Sequence, residues 1–246
     1  MLARTVDPET LDGLAADDPV AQRSRRDLRW IHRAMGTRGI LRRALRDITA
    51  SRRAVTPLRI LELGAGDGSL MLGVARSLPL HWPKVELTLL DRQPLVGRAT
   101  LRRYAELGWT ATAKVGDVFD WAAASTAAQR DTNGRARWDV IVSNLFLHHF
   151  EGAPLAGLLA VIATQTDRFF ACEPRRDWLA LAGSHLVGAI GANVVTREDA
   201  VLSVHAGFRC DELSQAWPVH GVEWQLQEYS AGLFSHCFRA ERLEPD

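Results

Sequence analysis

The chain has 246 residues, 47% hydrophobic and 24% charged, which is ordinary globular composition for one large domain or one domain with an appendage. A net charge of +1 gives no general attraction to nucleic acid, so no nucleic-acid partner is expected. No apolar stretch reaches 18 residues and the N-terminus lacks an apolar signal core, so the sequence predicts no membrane span and a cytoplasmic protein.

In chain order, residues 1–20 read as frayed. A helix is expected from Ser24, where SRRDLRWIHRAM sets Leu28, Ile31 and Met35 on one stripe, with Ser24 and Asp27 as its start signal. Gly36 and Gly39 break the pattern, and ILRRALRDI then places Leu41, Leu45 and Ile48 at helical spacing. After Pro57, strands and helices alternate. LRILEL, VELTLL, TATAKV, WDVIVS and RFFACE read as strands; SLMLGVARSL, PLVGRATLRRYAEL, WAAASTAAQ and a segment near 151–164 read as helices, with RDTNGRAR a polar loop. Such alternation predicts a parallel sheet covered on both faces. The alternation stops at 175–207, which reads as an insertion over the sheet's functional edge: a helix, WLALAGSHLVGAI, then an irregular piece, NVVTREDAVLSVHAGF. DELSQAW reads as a last short helix. The tail reads as two strands around SAGL, which must pair antiparallel with no helix between them.

The chemistry concentrates in ILELGAGDG, residues 60–68. A glycine turn between strand and helix lets backbone approach a ligand closely. The dinucleotide fingerprint is GxGxxG, but Gly64, Gly66 and Gly68 form GxGxG, with Ser at 69. Glu62 and Asp67 flank the turn, and carboxylates there repel a pyrophosphate and suit a cationic ligand. Asp91 ends the second strand, where an acid can accept both ribose hydroxyls. Asp117 follows the third strand, and SNLFLHHF (143–150) the fourth. All lie at strand C-termini, the ligand-binding edge of open α/β sheets.

These elements in this order resemble class I S-adenosylmethionine-dependent methyltransferases over residues 40–246. The resemblance implies a doubly wound, mostly parallel seven-stranded sheet with a C-terminal antiparallel hairpin, a Rossmann-like fold. It also implies a helical cap at 1–50 and a methyltransferase domain at 51–246. DLRWIHRAMG, NLFLHH and TREDAVLSVHAGF further resemble the small-molecule methyltransferases of bacterial aromatic polyketide and quinone pathways. The implied reaction is methylation of a phenol hydroxyl of a secondary metabolite, or C-methylation of a quinol, with S-adenosylhomocysteine as product. By position, Glu62, Gly64, Ala65, Gly66 and Gly68 cradle the amino-acid part of the cofactor. Asp91 holds the ribose with Arg92 beside it, Asp117 and Val118 flank the adenine, and Asn144 and Leu145 line the methyl-transfer face. Glu62 bonding the turn's own amides and Asp117 acting as a loop cap are the competing structural readings.

Oxygen acceptors must lose a proton, and a His near pKa ~6.5 can take it from a phenol near ~10. His148 is the candidate base, with a helix cap or packing role as its alternative. Adjacent side chains on a helix diverge by about 100°, so only one of His148 and His149 easily faces the acceptor. Glu173 is the competing base, unless it pairs with Arg175 or Arg176. Trp30, Phe146, His149 and Phe150 could wall a flat aromatic acceptor. His185, His205, His220 and His236 show no metal-ligand spacing, and no metal is expected. Residues 1–59 carry 13 Arg against 7 acids, either a solvated helix face or a basic cap for an acidic or phenolate substrate. Cys172, Cys210 and Cys237 read as reduced thiols. Two other classes stay open: a nicotinamide-dependent reductase and a non-catalytic binding module. The leading helices either swap across a homodimer or close the pocket.

Overall fold

A computed structural model describes residues 2–50, 56–79, 81–126, 138–218 and 224–243; the expected polar loop RDTNGRAR and His220 lie outside them. Seven strands form one sheet: β1 (Leu58–Leu63), β2 (Val85–Asp91), β3 (Trp109–Val115), β4 (Val140–Asn144), β5 (Arg168–Pro174), β6 (Trp224–Ala231) and β7 (Ser235–Arg242). Their order is β3-β2-β1-β4-β5-β7-β6. The first five run parallel, β7 lies antiparallel to β5, and β6 pairs antiparallel with β7. The expected doubly wound sheet with a terminal hairpin is thus the observed one.

Near-continuous apolar strands are what a sheet buried on both faces requires. Because side chains alternate along a strand, β1 feeds two cores. Leu58 and Ile60 join Leu41, Leu45 and Ile48 of α3 (Thr37–Thr49) and Met71 and Val74 of α4 (Ser69–Ala75). Leu61 and Leu63 point the other way, to Trp121 of α6 (Val118–Thr126) and Leu155, Leu158 and Ile162 of α7 (Gly152–Gln165). The order reverses between β1 and β4, which opens a crevice at their C-terminal ends.

Four local expectations are corrected. Residues 1–20 do not fray as a whole: α1 (Thr10–Gly13) forms there, its Thr10 and Leu11 amides donating to Asp199 at 2.8 and 2.9 Å. The helix expected from Ser24 is α2 (Pro19–Ala34), capped by the Asp18 carboxylate with proline in the first turn. Ser24 sits inside it, wholly buried, bonded to Asn193 and Thr196. The irregular piece is α9 (Val194–Ala206), started by the Asn193 side chain accepting from the Thr196 amide at 2.8 Å. Its β-branched residues read poorly as helix, and the buried bonds to α2 override that propensity. Helix α9 packs with α8 (Trp178–Leu186) and a 3-10 turn (Val187–Ile190) over the sheet edge, before α10 (Glu212–Ala216). Helix α5 (Arg98–Ala105) is shorter than expected, Gly97 standing at its N-cap. Cys172 and Cys237, far apart in sequence, face each other across β5 and β7 as free thiols.

Candidate active site

A cavity of about 860 Å³ lies over the C-terminal ends of β1, β2 and β4. At one end is the glycine turn. Gly64, Gly66 and Gly68 have φ of 65°, 56° and 70°, the left-handed region that other residues adopt only under strain. A Cβ on Gly64 would run into the Phe146 ring, whereas one on Gly66 would meet no protein atom within 4 Å. Gly66 therefore presents bare backbone to the cavity that it lines.

Acids surround this turn. The Asp91 carboxylate accepts from the Gly66 amide at 2.8 Å and the Gln93 amide at 2.9 Å, tying β2 to the turn. Asp67 accepts from the Ser69 amide at 3.0 Å and pairs with Arg29 at 3.0 Å. Glu62 is 3% exposed and lines the cavity, yet its Oε2 finds no hydrogen-bond partner among the described residues. Burial, and then the neighbouring Asp91 and Asp67, push its pKa up to about 8. The Asn144 side-chain oxygen is likewise buried without a partner among the described residues. Ala65, Arg92, Asp117, Val118, Leu145 and Phe146 line the same cavity. Arg92 donates to the Asp12 carbonyl at 2.9 Å, fastening the N-terminal segment to the end of β2. Asp117 caps α6 through the Phe119 amide at 2.7 Å while it faces the cavity.

The other end is built around a 3-10 turn, Leu147–His149. Leu145 enters it at φ 49°, uncommon for a residue with a Cβ. Glu173, fully buried at the end of β5, accepts from the amides of Phe146 (3.1 Å), Leu147 (3.0 Å) and His148 (3.4 Å), and bonds His148 Nδ1 at 2.9 Å. His148 Nε2 lies 3.2 Å from Glu9 Oε1, and the Ser203 hydroxyl of α9 donates to the same Glu9 oxygen. Burial lowers the His148 pKa, but the bonds to Glu173 and Glu9 outweigh it and hold the ring up at about 9. His149 lies beside it, ring centroids 4.2 Å apart, with its Nδ1 3.7 Å from Asp12. Burial and the His148 charge lower its pKa. Phe146 and Phe150 meet edge to face at 5.2 Å, and Phe119 meets Phe150 in the same way at 5.1 Å.

The geometry redistributes several expected roles. His148 has both ring nitrogens engaged by carboxylates, so in this arrangement it is no free base. Glu173 lies off the cavity and organises the 3-10 turn; its expected arginine partners bond elsewhere, Arg175 to Asp177 at 2.6 Å and Arg176 to Glu212. Gly68 sits at the N-cap of α4 beneath the turn, its carbonyl accepting from Tyr104 at 2.7 Å, and does not line the cavity. Trp30 is 62% exposed with Arg33 stacked on it. The cavity face of α2 carries Arg25, Leu28, Arg29 and His32 instead, one stripe at helical spacing that Trp30 does not share. Burial lowers the His32 pKa to about 4, so that ring is neutral. Sequence reasoning missed Glu9, Asp12 and Ser203 as cavity residues. The only available signal was that Asp7, Glu9 and Asp12 cluster before an arginine-rich helix. It reads equally well as a solvated leader. The metal expectation rested on spacing along the chain; in space, ligating atoms of Glu9, His148 and His149 lie within 4.8 Å of one another.

No protein-family model matches the sequence, and no curated protein matches it. Solved structures do match in fold. The plantazolicin methyltransferase BpumL in complex with SAH superposes with a TM-score of 0.59 at 14% identity, over 92% of this chain and 91% of that one. An O-methyltransferase family protein from Burkholderia thailandensis gives 0.60 at 13% identity, over 94% and 62%. Magnesium protoporphyrin IX methyltransferase from Synechocystis PCC 6803 with bound SAM gives 0.51 at 13%, over 95% and 88%. The chain therefore has the Rossmann-like fold of these methyltransferases. No helix among the described residues is long and apolar enough to cross a membrane.

Proposed function

We propose that this chain is an S-adenosylmethionine-dependent methyltransferase acting on a small molecule, with an aromatic hydroxyl of polyketide or quinone type as the preferred acceptor. The observation that carries this reading is Glu62: a buried carboxylate with an unpartnered oxygen, beside two further acids and a glycine turn of bare backbone. An isolated buried carboxylate is costly, and a ligand cation removes that cost. The α-ammonium of an amino-acid-bearing nucleoside fits the cluster, whereas a dinucleotide's pyrophosphate would face three acids. The fold neighbours solved with SAH and SAM support the same choice.

The cofactor supplies an electrophilic methyl group on a sulfonium sulfur and leaves as S-adenosylhomocysteine. This chain's own part is alignment, which contributes on the order of 7–11 kcal/mol in favourable cases. In this reading Glu62, Gly64, Ala65 and Gly66 hold the amino-acid end. Asp91 and Arg92 hold the ribose, Asp117 and Val118 the adenine, and Asn144 and Leu145 line the transfer path. Phe146 and Phe150 give a flat acceptor an apolar wall. The Glu9–His148–His149 cluster stands at the acceptor end, and His148 alone, bonded at both ring nitrogens, is not the base. Residues 2–14 act with α2 and α9 as the cover that keeps water from the reacting atoms. A cavity of about 860 Å³ suits a nucleoside with a small acceptor beside it.

Calorimetry on the full chain tests this. S-Adenosylhomocysteine is expected to bind and NAD not to, and a panel of phenols, quinols, amines and carboxylic acids should show turnover concentrated in the phenols. NAD binding with no response to the sulfur nucleoside overturns the reading in favour of a reductase.

A further inference from the structure

We propose that Glu9, His148 and His149 form a binding site for a divalent transition-metal ion at the acceptor end of the cavity. Two imidazoles and one carboxylate are a donor set that suits zinc, iron, cobalt or nickel better than magnesium or calcium, whose ligands are oxygens. The three side chains come from separate parts of the fold, the N-terminal segment and the 3-10 turn after β4, and all three line the cavity. Their ligating atoms lie within 4.8 Å of one another, and His148 Nε2 is 3.2 Å from Glu9 Oε1. Two ligands on one ion at bonds of about 2.1 Å sit roughly 3 Å apart along an edge of the coordination polyhedron.

The support behind the cluster is also that of a metal site. Ligating histidines characteristically give their second nitrogen to a carboxylate, which fixes ring orientation and tautomer. Glu173 does this at His148 Nδ1, at 2.9 Å, and is itself immobilised by three backbone amides. Nε2 is thereby aimed at Glu9. On the other side the Ser203 hydroxyl fixes the Glu9 oxygen. A hydrogen-bonded latch between the N-terminal segment and the turn would need only Glu9 and His148. The second imidazole, 4.2 Å from the first and with its Nδ1 3.7 Å from Asp12, supplies the third donor.

Three protein ligands leave coordination positions open, the pattern of sites that also take a substrate or water. Resting on the methyl-transfer reading, an acceptor hydroxyl takes an open position and loses its proton to solvent water. Its oxygen attacks the methyl carbon, and the methyl–sulfur bond breaks to leave the thioether. The ion does for the phenol what a doubly bonded His148 cannot.

The full chain, stripped with a chelator and then freed of it, is titrated with Co²⁺ alone and Zn²⁺ alone by calorimetry, with visible absorption following the cobalt. About one equivalent is expected to bind, with cobalt absorption bands typical of nitrogen and oxygen ligands. Glu9→Gln and His149→Gln should each weaken metal binding at least tenfold, while the folded variants still bind S-adenosylhomocysteine. Glu173→Gln should weaken it by about ten- to a hundredfold through the His148 ring. No binding up to about 1 mM, or equal binding in the Glu9 and His149 variants, overturns the site and leaves the latch. If the sulfur nucleoside binds and the metals do not, the metal site falls and the transferase reading stands. If the metals bind and the nucleoside does not, the site stands and the transferase reading falls.

Discussion

At the β1–β2 end of the cavity, the lining groups are short and local: Gly64, Gly66, Glu62, Asp67 and Asp91, all within strand ends and one tight turn. At the acceptor end they come from three places, with Glu9 139 residues from His148 and 194 from Ser203. The first end leaves a buried carboxylate oxygen without a partner among the described residues; the second satisfies its buried groups internally, through the chain Ser203–Glu9–His148–Glu173. The open oxygen at the first end is the electrostatic demand that the proposed cofactor would meet. The end assembled from distant segments has its own carboxylates, imidazole and hydroxyl bonded to one another.

Removing Glu173 gives the largest expected effect. Glu173→Ala strands the amides of Phe146, Leu147 and His148 and an imidazolium in a dry site. It should cost about 3–5 kcal/mol, read by chemical denaturation. A cost below about 1 kcal/mol would mean that the acceptor end is not held as a unit.

Next is Gly64→Ala, which strikes the junction of the two ends, because the new methyl meets Phe146 and the backbone is left-handed there. It should lose about 1–3 kcal/mol of stability and most of the nucleoside affinity, seen in melting curves and calorimetry.

Glu62→Gln sharpens the comparison through pH. In the free protein this carboxyl's pKa stands near 8 against an ordinary 4.5. The stability it allows is fully present below pH 4.5 and lost as pH rises through about 8. A bound cation prefers the ionised form, so nucleoside affinity should climb with pH up to about 8 and then level. Glu62→Gln should flatten that profile and weaken binding about tenfold near pH 8, or ~1.4 kcal/mol, with a more stable free protein. A parent profile without slope between pH 6 and 8 would break the case for a ligand cation at Glu62.

Trp30→Ala is the control with the smallest effect. Exposed, stacked on Arg33 and away from the cavity, Trp30 should change stability by no more than about 0.5 kcal/mol and leave turnover near the parent value. A large loss would mean that α2 presents a different face in solution.

The sequence by itself determined the mostly parallel sheet, its alternation of strands and helices, and the glycine turn after β1. An apolar run such as LRILEL, set between turn residues, suits a strand buried on both faces, and GxGxG suits a turn with left-handed backbone. These follow from neighbours within a few residues. The terminal hairpin was legible for the same reason. Tertiary structure alone decided that residues 2–14 fold over the cavity, that TREDAVLSVHA is a helix, and that Glu173 braces His148 instead of pairing with Arg175 or Arg176. It also turned Trp30 away from the cavity and set Arg29 and His32 on its wall. Buried polar groups choose partners by distance and desolvation in the finished fold, and residues 139 or 194 positions apart leave no period for a sequence pattern to carry.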